Sequence, residues 1–409
     1  MSKEERELIV GLDIGTSKVT CVVAEIRADG RLSVVGIASQ PNIGLKRGIV
    51  TNIDATIDAI SRVIQEVEST AGCTIHDVYT GITGNHIRSL NGSGQTVISN
   101  KEVTPLDVER AIEVARAMQI PADQKIILIQ TQEFLIDGQG GVREPIGMSG
   151  LKLEVKVHIV TGAVSAVENV LKCVRRCGLE VSDTILQPVA SSLAVLTEDE
   201  KELGVCLVDI GDGTADLAVF TQGAIRHTAV IPVAGVLITN DIAMALHTPI
   251  TAAEELKIDQ GVVSQSFERA DEQIEIPAVG DRSPRSVSRQ ALANVIRPRV
   301  EEIFELVQAE LIRSGYAELL SAGIVLTGAS SLMEGMVDLG REMFHMPVRV
   351  GSPQYEGPLA SLVCHPKYAA AMGLVVEGAA QRRRGMHDYA KRGWKQFFIR
   401  AKLWFANNF

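Results

Sequence analysis

Apolar and polar positions alternate in short runs along much of the chain, and two of these runs repeat one design. Leu8 to Leu12 is apolar or glycine, ends on Asp13-Ile14-Gly15-Thr16-Ser17-Lys18, and resumes at Val19. Val205 to Val208 is apolar, ends on Asp209-Ile210-Gly211-Asp212-Gly213-Thr214, and resumes through Asp216 to Phe220. Two β-rich runs joined by a glycine-containing turn predict a hairpin. Glycine lets a backbone approach a ligand closely, and successive turn N–H groups can form an anion-binding nest. One Asp-Gly turn says little. Two copies, each opening one half of the chain, predict a duplicated fold that grips a phosphate chain between its halves.

Elsewhere the period changes. Strands are predicted over 8–26, 31–38 and 78–82, with an Asp29-Gly30 turn. Ile57, Ile60, Val63, Ile64 and Val67 follow the helical period, so a helix should start at Asn52 or Asp54 and reach Val67. Residues 84–161 have a different texture: short strands at 95–99, 125–130 and 151–161, and one helix opening on Thr104-Pro105. They predict an inserted small α/β domain. A helix over 163–177 ends at Gly178, and the run from Asp183 to Leu186 turns at Gln187-Pro188 into a helix of small residues. Further helices are expected at 236–246 and from Thr251, then a polar stretch over 261–290 with a basic turn at 281–286. The helix over 289–312 contains Pro298, which should kink or divide it. The strand from Gly323 to Thr327 passes into a small-residue turn and a helix from Met333, and 348–351 ends another strand. The alanines and Gly373 of Tyr368–Val376 suit a closely packed closing helix, and 377–393 read as a flexible basic linker.

With 409 residues, the chain has length for two to four domains. At 46% hydrophobic and 22% charged residues it reads as globular. It has no membrane-spanning apolar run, its start is too polar for a signal peptide, and its scattered cysteines suit buried thiols in a reducing compartment. The net charge of −10 is uneven: residues 381–409 carry eight bases against Asp388, or +7, leaving −17 on the body. An acidic body argues against nucleic acid as a partner.

Both tryptophans and four of the nine phenylalanines fall in residues 394–409. On a helix Trp394, Phe397, Phe398, Ala401, Trp404, Phe405 and Phe409 share an arc of about 140°. Lys395 and Lys402 border that arc on one side and Arg400 lies beyond the other, while Ile399 and Leu403 interrupt the opposite face. This pattern predicts a helix lying in a membrane interface.

Asp13 and Asp209, at the ends of facing strands, could hold a hydrated Mg²⁺ against phosphates. Lys18 could reach a phosphate as a point charge. Asp216 could brace its loop, and Asp212 should point away from phosphates. Glu254 and Lys257 share a helix face and could form a solvated ion pair or part of a site.

DIGTSKV at 13–19 and DIGDGTADLAVF at 209–220 resemble the two phosphate loops of the actin, heat-shock-70 and sugar-kinase superfamily. Within it the chain resembles the FtsA family of bacterial cell-division proteins along essentially its whole length. The resemblance implies a two-lobed, ribonuclease-H-like, actin-like ATPase fold. The first lobe (1A) would comprise 1–83, 162–195 and 350–380, with 84–161 inserted as subdomain 1C. The second would comprise a core (2A) of 196–231 and 316–349 and an outer subdomain (2B) of 232–315, followed by a linker at 381–393 and a membrane-targeting helix at 394–409.

The resemblance also implies ATP with Mg²⁺ as ligand. Asp13 and Asp209 would hold the metal through water, with Gly15, Thr16, Ser17, Lys18, Gly211, Gly213 and Thr214 around the phosphates. Glu254 and Lys257 would face ribose and adenine; Gly328, Ala329 and Ser330 would form the adenosine loop, with Ala329 where a second glycine is usual. Gln187, just before Pro188-Val189-Ala190, would orient the water attacking the γ-phosphate, in a slow ATPase at most. Implied partners are the C-terminal peptide of the tubulin-like protein FtsZ, with Arg285 and Arg299 as candidate contacts, and further copies of the chain in filaments. Later division proteins would bind the insertion. Anionic lipids would bind Trp394, Phe397, Phe398, Lys402, Trp404 and Phe405, at the cytoplasmic face of the membrane where the cell divides. A small-molecule kinase, a chaperone and a cell-shape filament protein share the fold. The insertion and the tail set this chain apart from them.

Overall fold

The computed structural model describes residues 7–27, 29–264, 270–278 and 283–384. The expected helix at 394–409, with Trp394, Phe397, Phe398, Lys402, Trp404 and Phe405, lies outside the described residues.

Two five-stranded sheets share one topology. In the first the order is Glu180–Leu186, Asp77–Ile82, Leu8–Ile14, Lys18–Ile26, Leu32–Pro41. In the second it is Val348–Val350, Gly323–Thr327, Val205–Ile210, Ala215–Thr221, Ala224–Ile231. Each opens with a three-stranded antiparallel meander and adds two parallel strands beside the meander's first strand. The duplication legible in the two loops is therefore a duplication of whole sheets, and both loops connect equivalent strands.

Local chemistry explains the flanking helices. Asn52 caps Ile53–Ala71 by accepting from the Ala55 amide at 3.1 Å, Gly72 ends it in the left-handed conformation, and Ala59, Ile60, Val63, Ile64 and Val67 are buried. The helix Arg289–Ser314 runs without a break through Pro298, so the divided alternative does not occur. Its buried face, from Leu292 through Phe304 to Leu311, holds it against the second lobe and outweighs one missing hydrogen bond. The helix expected from Met333 begins at Met336, after a short 3₁₀ turn at Ala329–Leu332. Within the stretch read only as polar, Gln273–Ile276 pairs with Arg285–Ser288 as a small hairpin.

Between Ile82 and the helix Val164–Arg176 stands a four-stranded sheet, ordered Arg88–Val97, Lys152–Ala163, Gln124–Ile136, Gln139–Val142. It packs on the helix Pro105–Arg116, whose start carries a reciprocal Thr104–Asp107 capping box. Leu153, Val155, Val157, Ile159, Phe134, Ala111 and Ala115 give this unit a core of its own. Its edge residues reach the second lobe: Ser89 Oγ donates to Thr228 O at 2.7 Å, and Gln132 Nε2 donates to Ile225 O at 2.9 Å.

A helix over 369–384 closes the body between the lobes. Ala371, Leu374 and Val375 share one core with Ile9, Ala190, Leu207 and Val325. An added Cβ on Gly373 would overlap Ala190 O, and one on Gly11 would lie 2.6 Å from Ala371 O. This helix corrects the linker boundary, because 381–384 are helical and docked. Arg382 pairs with Asp77 at 2.8 Å, Gln381 Nε2 donates to Asp183 Oδ2 at 2.7 Å, and Arg384 pairs with Glu377 at 2.6 Å. A run of bases looks like a linker until the acids opposite it are known.

Gly373→Val should destabilise the body by about 2 kcal/mol or more, since backbone rather than a movable side chain meets the new group. Thermal unfolding would show it as a melting point several degrees lower. An unchanged melting point would contradict this packing.

Candidate functional site

The two predicted hairpins place equivalent four-residue loops at the ends of the two sheets. Gly15 N–H donates to Lys18 O at 2.9 Å in one, and Gly211 N–H donates to Thr214 O at 3.0 Å in the other. Among the described residues, nothing accepts a hydrogen bond from the N–H groups of Thr16, Ser17, Asp212 or Gly213. The loops touch: an added Cβ on Gly213 would overlap the Thr16 side chain. Glycine is required there by the approach of one lobe to the other.

Between the loops lies a cavity of about 550 Å³, within the usual range for small-molecule sites. Asp13, Gly15, Thr16, Ser17, Lys18, Gln187, Asp209, Gly211, Gly213 and Thr214 line one end. Glu254, Lys257, Gly328, Ala329 and Ser330 line it as well. Every residue expected at a nucleotide site from the sequence thus meets at one cavity. Asp212, expected to turn away, is on the wall too, where Lys257 lowers and Glu254 raises a carboxyl pKa already raised by burial.

The carboxylates are held by neutral hydroxyl and amide groups. Gln187, first residue of the helix Gln187–Val195, donates from Nε2 to Asp13 Oδ1 at 2.6 Å. Ser191, one turn on, donates to Asp209 Oδ2 at 2.5 Å. One helix start therefore serves both lobes. Burial pushes Asp13 up to about 6, opposed by Lys18 and reinforced by Asp209. Burial also raises Asp209, against the Ser191 hydrogen bond and Lys18. Asp216 is pushed up to about 8, by burial first and then by Asp209. Burial likewise brings Lys18 down to about 8, partly offset by Asp13. Its Nζ donates to Lys367 O at 3.1 Å and sits 5.0 Å from the Tyr368 ring centroid.

At the far end, Lys257 Nζ pairs with Glu254 at 2.7 Å and donates to Thr239 Oγ1 at 2.9 Å, while Thr239 also bonds Glu254. Lys257 is 6% exposed while the Glu254 side chain stays half-exposed, so the pair is a bracket with a buried lysine and not a fully solvated surface contact. Gly328 has φ +83°, and an added Cβ would overlap Asp209 Oδ1. Ala329 keeps a negative φ. The positive φ thus falls on the residue that is glycine, and the adjoining turn accepts a methyl. Ser330 Oγ ties this turn to Gly211 O at 3.0 Å.

Sequence reasoning missed Thr83, Arg289, His365 and Lys367 on the cavity wall, because each comes from a loop or helix end remote from the two motifs. Ser191 was read only as a small residue, although a hydroxyl one turn after Gln187 was the available signal.

Among the described residues, no three His, Cys, Asp or Glu side chains could together hold an ion directly. The residues present fit a hydrated Mg²⁺ shared with phosphates: two adjacent carboxylates disfavoured by burial, and a cationic Lys18 beside them. Asp216 Oδ1, buried and without a hydrogen-bond partner, adds to the demand for a cation or its water.

The candidate peptide contacts lie around one helix, Gly235–Ala245. Arg299 is bidentate on Asp241, at 2.6 and 3.1 Å, and bonds Glu302. Arg285 is exposed and donates to Leu246 O at the end of that helix. The Arg299 charge is already engaged, so an acidic ligand there must displace a carboxylate.

Family models described as "Cell division protein FtsA" and "SHS2 domain inserted in FTSA" match residues 206–373 and 84–161. The chain is 56% identical to the cell division protein FtsA of Pseudomonas aeruginosa, over 94% of this chain and 92% of that protein. It is 48% identical to the same-named protein of Neisseria meningitidis, over the full length of both. Among solved structures, it resembles a PilM-PilN type IV pilus biogenesis complex chain, with TM-score 0.64 and 19% identity over 91% of this chain and 98% of that one. It also resembles MreB5 of Spiroplasma citri bound to ADP, with TM-score 0.54 and 17% identity over 95% and 99%. These structural likenesses show the two-lobed actin-like fold.

The raised carboxyl pKa values predict a pH dependence. An unfolded Asp titrates near 4, so between about pH 4 and 8 the folded protein holds protons on Asp13 and Asp216 that the unfolded chain has released. The stability they confer is full below the unfolded value and is lost as pH rises through the folded values. The melting point of the ligand-free protein should carry a component that falls from about pH 5 to about pH 8, and Asp216→Asn should flatten it. Parallel melting-point curves for the two proteins would contradict the Asp216 assignment.

Proposed function

The chain belongs to the FtsA family of cell-division proteins, and on that premise we propose that it is an ATP-binding membrane adaptor for the FtsZ filament. The single observation that carries the nucleotide part is the convergence of both hairpin loops, Asp13 and Asp209 on one cavity. A fold neighbour with bound ADP and another with bound AMPPNP support it.

ATP would lie with its phosphates against the loop N–H groups and Lys18, and its nucleoside toward Glu254, Lys257 and the 328–330 turn. Mg²⁺ would be held through water by Asp13 and Asp209, offsetting the charge of carboxylates and phosphates together. In this reading Gln187 orients a water, and hydrolysis is slow. The outer subdomain receives the FtsZ C-terminal peptide near Arg285 and Arg299, the insertion meets later division proteins, and copies of the chain associate into filaments. The aromatic face of 394–409 lies in the cytoplasmic leaflet at the division site, with Lys402 and its neighbours toward anionic headgroups. Beyond the docked arginines, residues 385–409 carry five bases against Asp388, or +4, while the remainder of the chain carries −14, and this asymmetry supports the reading: the bases attract a surface that repels the rest.

Two measurements test the proposal separately. By isothermal titration with Mg²⁺ present, Asp13→Ala or Asp209→Ala should weaken ATP binding at least about tenfold, or about 1.4 kcal/mol; full affinity in either variant would remove that residue from the metal. In co-sedimentation with anionic vesicles, the wild-type chain should pellet and Trp404→Glu should stay in solution with unchanged ATP affinity. Each nearby base contributes on the order of 1 kcal/mol at such a surface, so high salt should also release the wild-type chain. Equal pelleting of both proteins would argue against the anchor.

A further inference from the structure

Lys367 lies on the cavity wall in the short turn Pro366–Tyr368, which leads into the closing helix. The turn has little freedom. Thr327 Oγ1 donates to Gly351 O at 2.9 Å and lies 3.4 Å from Pro366 O. The His365 ring accepts from the Lys367 N–H at 3.3 Å, and the Tyr368 N–H donates to His365 O at 2.9 Å. Two cations stand against the Tyr368 ring, Lys18 Nζ at 5.0 Å and Lys367 Nζ at 4.8 Å from its centroid. The Lys367 carbonyl also accepts from Lys18 Nζ at 3.1 Å. One turn, through its ring and its main chain, therefore fixes where both ammonium groups sit.

This placing gathers positive charge at one side of the cavity. Burial lowers the Lys18 pKa; Asp13 raises it, Lys367 lowers it again and Asp209 raises it. His365, on the same wall, is lowered by burial and then by Lys367 and Lys18. The two lysines are compensated unequally. Asp13 and Asp209 face Lys18, whereas no carboxylate pairs with Lys367 among the described residues, and its ammonium meets the Tyr368 ring instead. A ring face holds a cation less firmly than an anion does. An ammonium kept beside another one, on a cavity wall and without an acid, favours an anionic ligand in that cavity.

Resting on the nucleotide reading above, we propose that Lys367 is a second phosphate-binding cation, set beside Lys18 by the Tyr368 ring. The phosphate chain is then gripped from the closing-helix turn as well as from the two loops. Lys18 shares its charge with Asp13 and Asp209, while Lys367 brings a charge for which no paired acid competes. Its flexible four-carbon stem lets the ammonium leave the ring face for a phosphate oxygen while the main chain stays in place. Because the turn opens the helix seated between the lobes, the same contact ties the phosphates to that helix.

Isothermal titration of the full chain with Mg²⁺ present, using ATP and adenosine as separate ligands, tests the assignment. Lys367→Met keeps the stem and removes the charge. It should weaken ATP binding at least about tenfold and leave adenosine within about twofold of the wild type. Lys367→Arg should recover much of the loss, and the gap between wild type and Lys367→Met should narrow as salt is added. Ligand-free melting points of the three proteins should agree; a lower one in Lys367→Met alone would make the lysine a structural group and overturn the proposal. Full ATP affinity in Lys367→Met would overturn it too. An equal loss for ATP and adenosine would also do so, by placing Lys367 at the nucleoside. A wild-type chain that binds no ATP would instead fault the nucleotide reading, and this inference with it.

Discussion

Three carboxyl groups, the buried Asp13 and Asp216 and the half-buried Asp209, surround one cavity, and the rest of the structure is arranged about that fact. Burying charge is costly unless it is paired or neutralised. Here the protein itself supplies only part of the answer: a hydrogen bond from Gln187, one from Ser191, and the charge of Lys18. The remainder appears as raised pKa values and an unpaired carboxyl oxygen. A site that is electrostatically unfinished in the protein alone is suited to a ligand that brings cations and ordered water with it. The distribution is also asymmetric, because Asp13 belongs to one sheet and Asp209 and Asp216 to the other.

That asymmetry makes the interlobe contact part of the chemistry. Glycines at 213, 328 and 373 let backbone meet the opposing element at distances no side chain would permit. They bring the acids together and seat the closing helix. Away from the cavity, side chains of the insertion hold the edge strand Ala224–Ile231. His158 Nε2 lies 3.0 Å from Thr228 Oγ1, and Asn91 Nδ2 donates to Arg226 O at 3.1 Å. Side-chain hydrogen bonds are weaker ties than a continued sheet. The insertion is thus joined to its own lobe by covalent chain and a small core in which Ile87 and Val160 meet Ile82, Val167 and Leu186, and to the other lobe by contacts that can be exchanged.

Surface charges follow the same rule of local pairing. Arg299 is tied to Asp241 and Glu302, Arg349 to Glu200, and Arg382 to Asp77. Exposed pairs of this kind contribute little to stability. They do decide which bases are available to a partner, so counting arginines along a segment overstates its free positive charge. Arg285, which is exposed and, among the described residues, bonded only to a backbone carbonyl, keeps more of its charge for an acidic ligand than Arg299 does.

The sequence by itself determined the elements whose evidence is local. Hairpins with Asp-Ile-Gly turns, a capped amphipathic helix after Asn52 and an inserted unit with its own apolar positions all depend on residues close together in the chain. The loop residues from Gly15 to Lys18 and from Gly211 to Thr214 were legible for the same reason. Tertiary structure alone decided what depends on partners far away in sequence. It carried the helix through Pro298, because a buried face on both sides outweighs one absent hydrogen bond. It extended the closing helix to residue 384, because Asp77 and Asp183 stand opposite Arg382 and Gln381. It turned Asp212 onto the cavity wall and brought Ser191, Thr83 and Lys367 to the site. Periodicity records which face of an element is buried; only the packed lobes determine which polar atoms meet, since each such meeting joins two segments whose separation no local pattern encodes.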